Sequence, residues 1–239
     1  MTARPYFSLV VPTYNEAENI VPLLEALRGS LAGTPHEVLV VDDDSPDRTW
    51  ALAEDYARRS GEPVRVLRRM KDRGLSAAVI AGFDASSGEV LGVMDADLSH
   101  DAGLWPNLLK AVRDGAELAV GSRRVPGGGA DRWPRRRRWL SDAGTIFSRR
   151  LLGLSLRDPM SGFFAVRRET YERGRADLRP RGYKILLEIL VRSRVPAEKI
   201  VEAPYVFRDR RQGYSKLGWK VALGYLSQHA ALFFGRGRS

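Results

Sequence analysis

The 239-residue sequence contains no cysteine, which excludes disulfides and thiolate-held metals and leaves only oxygen or imidazole ligands. Histidine is scarce as well: His36, His100 and His229 are the only three, and their spacing does not suggest a zinc site. A hard cation held by carboxylates is therefore the expected form of any metal centre, Mg²⁺ or Mn²⁺ rather than zinc. No long uninterrupted apolar run is present; the nearest, residues 217–234, is broken by Lys220 and by the Ser227-Gln228-His229 step. The opening string MTARPYFSLVVPTYNE reaches polar residues after a short apolar run, so no signal peptide is read and a cytoplasmic location is expected. A P-loop is excluded because no G-x-x-x-x-G-K-[ST] string occurs.

Lysine supplies only six of the 39 basic residues, so the net charge of +10 is carried almost wholly by arginine. A codon bias toward arginine would account for the number but not for its placement. Seven arginines lie between Arg123 and Arg138, against the single acid Asp131. Such a cluster suits phosphate, nucleic acid or an anionic membrane surface; a solvated charge run is the plain alternative. Nucleic acid is not expected, because no zinc-finger, RNP or helix-turn-helix string is present and acidic strand ends would repel a phosphate backbone.

Hydrophobic residues make up 44% and charged residues 28%, the balance of a folded globular domain. The first half alternates short apolar runs with helical stretches. FSLVVPTY, EVLVVDDD, PVRVLRR, EVLGVMDAD and AELAVGSR read as strands, with helices over about 16–28, 47–59, 76–86 and 102–114 between them. Helices of this length between strands imply parallel pairing in an α/β sheet covered on both faces. Asn15 and Glu16, Asp42 to Asp44, Asp95 and Asp97, and Ser122 and Arg123 all follow strand C-termini. In an open parallel sheet that edge binds the ligand. After residue 124 the pattern loosens into a Gly/Pro-rich loop, an arginine-rich helix from about 135 to 152, the segment DPMSGFFAVRR, the helix GYKILLEILVRS and the strand KIVEAPYVF.

Asp95-Ala96-Asp97 can converge on one divalent cation if the chain turns there, although an acidic pair at a strand end is as often solvated. Asp101 reads as a helix cap. Of Asp42, Asp43 and Asp44, three adjacent carboxylates that repel one another, at least one needs a cationic or hydrogen-bonding partner. One can accept hydrogen bonds from a base or ribose, while Ser45 or Asp47 caps the next helix.

The strings VVPTYNE, VVDDDSPDRTW, GLSAAVIAGF, DADLSHD, GSR, DPMSGFF, GYKILLEIL and GYSKLG follow one another in an order that resembles the dolichol-phosphate mannosyltransferases, or polyprenol monophosphomannose synthases. These belong to the family 2 glycosyltransferases of GT-A fold, and the likeness spans about residues 7–217. It implies a GT-A catalytic domain over 1–216, with a nucleotide-sugar half to about 123 and an acceptor half beyond, and an apolar, basic tail over 217–239. It implies transfer of mannose from GDP-mannose to a polyprenyl or dolichyl phosphate at an anionic membrane surface, with or without a separate membrane-anchoring subunit. By the same resemblance Pro12, Tyr14, Glu16, Val41, Asp43, Asp95, Ala96, Asp97, Arg210 and Lys216 are expected around the donor. Asp95, Asp97 and Ser99 are expected at the metal, and Arg123, Arg137 and Ser141 at the acceptor phosphate. Asp95, Asp97 and Arg123 are the expected catalytic set. Ser99 stands where relatives carry a longer amide, and either Lys71 or Arg73 replaces a lysine near the donor. A related enzyme using UDP-glucose is the nearest alternative; a processive polysaccharide synthase is disfavoured, since no Q-x-x-R-W string occurs.

Overall fold

The apolar strings of the first half become strands β1 (Phe7–Thr13), β2 (His36–Asp42), β3 (Val64–Arg68) and β4 (Val90–Val93). Between them run α1 (Ala17–Ser30), α2 (Thr49–Ser60) and α3 (Leu75–Asp84), each long enough to carry the chain back for a parallel return. A 3-10 turn at Ala102–Leu104 leads into α4 (Trp105–Arg113) and β5 (Leu118–Ser122). Then follow β6 (Gly129–Ala130), α5 (Arg135–Leu151), β7 (Phe164–Arg167), α6 (Arg168–Arg175), α7 (Ile185–Arg192), β8 (Ile200–Pro204) and β9 (Val206–Phe207). This computed structural model describes residues 4–131, 135–179, 184–208 and 232, without the side chains of 135–138 and 140.

Seven strands form one sheet in the order β3-β2-β1-β4-β7-β5-β8. Every pairing is parallel except those of β7, which runs antiparallel to both β4 and β5. β6 and β9 make a separate parallel pair beside it. Alternate residues of β1 feed the two faces, as strand geometry requires. Phe7, Leu9 and Val11 join Trp105 and Phe163 in one core, whereas Val10 joins Leu39, Val41, Phe83 and Tyr171 in the other.

The expected mostly parallel sheet with helices on both faces is the fold observed. Two elements differ from the sequence reading. The RETYERGR stretch forms α6 although it is mostly charged, because Thr170, Tyr171 and Gly174 are buried on one side. The glycine-rich stretch after residue 124, expected to be a loop, contributes β6. An apolar face of the arginine-rich helix or of the tail, turned to a membrane, would have exposed Leu152 and Leu232; the structure corrects that expectation. Leu152 and Leu232 are fully buried, packed together with Leu187 and Val191, so these two serve the core. The rest of the tail over 217–239 lies outside the described residues.

α3 lies tight against the sheet at Gly82, where a Cβ would sit 2.6 Å from Val10 Cγ1 and 3.0 Å from Val41 Cγ2. Alanine improves helix propensity there by about 1 kcal/mol, but overpacking a filled core typically costs about 1–3 kcal/mol. Gly82→Ala is expected to lower the urea midpoint of unfolding. An unchanged or higher midpoint would show that the helix can move away from the sheet without loss.

Candidate active site

β1, β2, β4 and β5 deliver their polar ends to one edge of the sheet. The turns there are made by backbone in the left-handed region: Asn15, Asp44 and Leu98 have φ of 60°, 57° and 58°. Asn and Asp tolerate this conformation, but a leucine in it costs on the order of 1–3 kcal/mol and must be held by its surroundings. The hold is visible on either side of Leu98, where Asp97 Oδ1 accepts hydrogen bonds from both the backbone N–H and the hydroxyl of Ser99. Asp101, as expected, caps the following turn by accepting from Gly103 N.

The three adjacent aspartates divide their tasks. Asp42 is fully buried and structural: Thr13 Oγ1 donates to Oδ2 at 2.7 Å, and Ser45 donates through N and Oγ. Asp43 accepts from Arg69 Nη1 at 2.8 Å and from Gly74 N at 2.6 Å. Asp44 is bracketed by Arg68 and Arg73, and Arg68 stacks on Trp50 with its guanidinium 4.1 Å from the ring centroid. Arg73 is thus engaged with Asp44, whereas Lys71 is exposed on the same loop. Arg48, not Ser45 or Asp47, stands at the N-cap of α2, and Asp47 ties this loop to the first strand end by accepting from Thr49 N and from Ala17 N of α1.

Pro12 and Val41 are cross-strand partners in β1 and β2, and both are buried. Val41 and Ala96 place their side chains in the two cores, so either can meet a ligand only through its backbone. Tyr14 is 38% exposed at the rim, and Glu16 accepts from Asn19 Nδ2 at 2.7 Å. Ser99 is buried with its hydroxyl turned to Asp97. Arg137 lies in α5 with its side chain outside the described residues, and Arg210 and Lys216 lie outside them altogether.

Among the described residues no group of three or more acidic or imidazole side chains converges as a metal cage. Asp95 and Asp97 supply two carboxylates, which suits a small hard cation that takes its remaining ligands from a diphosphate and water. One oxygen of each is already oriented by the protein, Asp95 Oδ2 by His100 and Asp97 Oδ1 by Ser99. The donor set fits Mg²⁺ or Mn²⁺ bound together with a nucleotide diphosphate.

On the other side of Asp95 stands Arg123, at the end of β5. Asp158 receives its Nε at 2.7 Å, its Nη2 at 2.8 Å and its backbone N at 3.1 Å. Burial disfavours the Arg123 charge, but the bonds to Asp158 outweigh it and raise the arginine pKa, with Tyr205 and Asp95 adding to the effect. Burial likewise works against the Asp158 carboxylate, yet Arg123 holds its pKa below the usual range. Arg124 pairs with Asp142 and donates to Ser141 Oγ at 2.9 Å. Arg123, Arg124 and Ser141, with Gly128 to Ala130 and the acids Asp131 and Asp142, line a cavity of about 540 Å³. Lys184 lies in the same electrostatic neighbourhood: burial and the Arg123 charge lower its pKa, opposed by Asp95 and Asp158.

The structure brings Arg123 and Ser141 to one cavity, whereas Arg124, Asp158, Lys184 and the Asp95 partner His100 were not singled out from the sequence. Asp158 and Lys184 stand within the quoted DPMSGFF and GYKILLEIL strings, so their motifs were visible although their partners were not.

Removing one member of a buried ion pair typically costs about 3–5 kcal/mol, because the other charge is left unmatched. Asp158→Asn keeps some of the hydrogen bonding, so a loss of about 3 kcal/mol is expected. A depressed carboxylate pKa gives stability that is full above the ordinary range near 4 and is lost as pH falls through the lowered value. The wild type should therefore lose stability below about pH 4 by an amount the variant lacks. Urea unfolding of both proteins across this range measures the difference, and parallel acid profiles would exclude the pair as its source.

Residues 8–175 match the family model described as glycosyl transferase family 2. The chain is 44% identical over 221 residues to the dolichol-phosphate mannosyltransferase of Pyrococcus furiosus, covering 92% of this chain and 61% of that protein. It therefore spans about three-fifths of that relative's length. It is 40% identical over 213 residues to the polyprenol monophosphomannose synthase of Mycolicibacterium smegmatis, covering 87% of this chain and 80% of that one. Among solved structures, a mannosyltransferase from Pyrobaculum calidifontis in complex with GDP-Man and Mn²⁺ is similar with a TM-score of 0.65 at 20% identity. That likeness covers 98% of this chain and 64% of the other, and it speaks to the GT-A fold alone. Matched over most of its length by the family model, with the carboxylates and arginines of the strand-end edge inside the matched region, the chain belongs to glycosyl transferase family 2.

Proposed function

We propose that this protein transfers mannose from GDP-mannose to the phosphate of a polyprenyl monophosphate, with inversion at the anomeric carbon. The observation that carries this reading is the adjacency of two opposite charge sets at one sheet edge. Asp43, Asp95 and Asp97 form the donor side, and the cavity lined by Arg123, Arg124 and Ser141 forms an anion-binding acceptor side. The names of the relatives at 40–44% identity support the choice of sugar and lipid acceptor.

Residues to about 123 supply most of the donor side, and those from about 124 to 216 most of the acceptor side. Asp43 is placed to accept hydrogen bonds from the nucleotide, with Tyr14 and Glu16 beside it and the backbones of Pro12, Val41 and Ala96 shaping the floor. Arg210 and Lys216 complete the donor site from the segment that follows β9. Asp95 and Asp97 would hold Mg²⁺ or Mn²⁺, which would offset the charge that builds on the departing diphosphate. Arg123, Arg137 and Ser141 hold the acceptor phosphate, and Arg124 joins them. Guanidinium forks suit this task because they bind phosphate oxygens in pairs. A phosphate monoester, with a second pKa of about 6, is largely dianionic at neutral pH and needs no general base. Its oxygen forms the new bond to C1 of mannose as the bond from C1 to the GDP oxygen breaks, and an α-linked donor gives a β-linked product.

The lipid acceptor requires the site to meet a membrane surface. No helix among the described residues is long and apolar enough to cross a membrane. α5 instead exposes Trp139 (70%), Ile146 (49%) and Phe147 (43%), which line an open hollow with Arg150. These apolar side chains enter the headgroup boundary while the exposed Arg150 beside them meets anionic lipids on the cytoplasmic face.

Incubation with labelled GDP-mannose or UDP-glucose and a short polyprenyl phosphate tests the reaction. Label from GDP-mannose should enter the lipid phase, and Arg124→Ala should weaken use of the acceptor about tenfold or more without changing GDP-mannose binding. Preference for UDP-glucose would identify the related glucosyl enzyme, and label released only as free sugar would make the protein a hydrolase.

Binding to anionic vesicles should fall with added salt and weaken in a Trp139→Ala, Phe147→Ala double variant. Full binding by a folded double variant would exclude α5 as the contact.

A further inference from the structure

Behind the Asp95 carboxylate lies a row of polar groups inside an aromatic box. His100 Nε2 is 3.2 Å from Asp95 Oδ2, and His100 Nδ1 is 2.9 Å from Tyr205 Oη. His100 and Tyr205 are both buried, and the imidazole is surrounded by the rings of Phe163, Tyr205 and Phe207 at centroid distances of 5.2, 5.4 and 5.7 Å. Burial pushes the Tyr205 phenol well up, with Arg123 opposing, so the hydroxyl keeps its proton and donates to Nδ1. The imidazole proton then sits on Nε2 and is donated to Asp95.

Both ends of this row are fixed. Tyr205 N donates to Ser122 O, and Arg208 N donates to Ser99 O, which lashes the β8–β9 segment to the strand-end edge. A Cβ at residue 162 would stand 2.9 Å from Oδ2, the oxygen that His100 bonds, and 3.2 Å from Oδ1. The glycine there lets the carboxylate and the loop before β7 pack at contact. Asp95 is one-third exposed, so it is held from the protein side while remaining open to a ligand.

We infer that His100, itself oriented by Tyr205, is a positioning residue that aims the Asp95 carboxylate at the divalent cation of the donor diphosphate. The inference rests on the metal-dependent transfer proposed above. Its physical basis is that a carboxylate held on one oxygen by a fixed N–H presents the other in a single direction. Outer partners of this kind typically alter metal affinity 10- to 100-fold when removed. A histidine that only filled the core would, on replacement by leucine, change stability and leave metal affinity alone.

The test is Mn²⁺ binding in the presence of GDP, read by the electron paramagnetic resonance of free Mn²⁺, on the full chain. His100→Leu should weaken Mn²⁺ binding about 10- to 100-fold while GDP binding without metal is unchanged. His100→Gln keeps a donor near the Nε2 position and should recover much of the loss. Tyr205→Phe retains the ring packing but frees the imidazole to choose its tautomer, so it should weaken Mn²⁺ although it does not touch Asp95. Unchanged Mn²⁺ affinity in a folded His100→Leu overturns the inference; if that variant does not fold, unchanged affinity in Tyr205→Phe does so. A wild-type protein that binds GDP but no Mn²⁺ would instead overturn the metal reading of the site, and the inference with it.

Discussion

The buried pair between Arg123 and Asp158 joins two parts of the chain at the strand-end edge that are 35 residues apart. Arg123 ends β5, and Asp158 belongs to the loop that returns toward β7, the one strand that runs against its neighbours. Glu202 of β8 receives the backbone N–H groups of Arg157 and Asp158, so the same loop is also fastened to the last parallel strand. A buried ion pair adds little net stability compared with an apolar pair of the same shape. What it supplies here is location: a guanidinium fixed beside Asp95 and the acceptor cavity, with its charge matched enough to survive burial. The guanidinium also lies 5.6 Å from the Phe207 ring, which connects it to the aromatic box around His100.

A second constraint comes from the backbone. Parallel strands expose their C-terminal carbonyls at one edge, and a chain leaving that edge must turn sharply to enter the next helix. Asn15, Asp44 and Leu98 make these turns in left-handed conformation, and the groups that hold them are the groups that furnish the site. Ser45 donates to Asp42 and receives Asn15 N, while Asp97 ties down the residue after Leu98. The side chains of Asp42 and Ser99 are spent on this scaffolding. That leaves Asp43, Asp95 and Asp97 as the carboxylates closest to the role expected of a nucleotide site.

The parallel part of the fold was legible because period-two and period-3.6 patterns alternate cleanly through residue 122. The antiparallel insertion of β7 was not, since FAVR carries the same apolar composition as its parallel neighbours and nothing in it encodes direction. α6 escaped because its buried face consists of Thr170, Tyr171 and Gly174, which give no apolar stripe. At the site, polar residues adjacent in sequence to strand ends could be found. Partners distant in sequence could not: Asp158 is 35 residues from Arg123, and Tyr205 is 105 from His100. His100 was noticed only as a poor zinc candidate, a reading based on spacing between histidines that says nothing about a single histidine behind a carboxylate.

The arrangement also answers an electrostatic difficulty peculiar to joining two anionic reactants. A diphosphate and a phosphate monoester repel each other, and a site made simply positive would bind both indiscriminately in either place. Here the cations are graded. Arg69, Arg68 and Arg73 at the nucleotide side are matched by Asp43 and Asp44, so they shape the pocket without much net attraction for phosphate. Arg123 is matched by Asp158, and Arg124 by Asp142, yet both line the acceptor cavity. Lys184 is half-buried with Nζ 3.4 Å from Met160 O, and burial and the Arg123 charge lower its pKa while Asp95 and Asp158 oppose them. On the proposed reading, matched arginines thus define where each anion goes without making the whole edge positive.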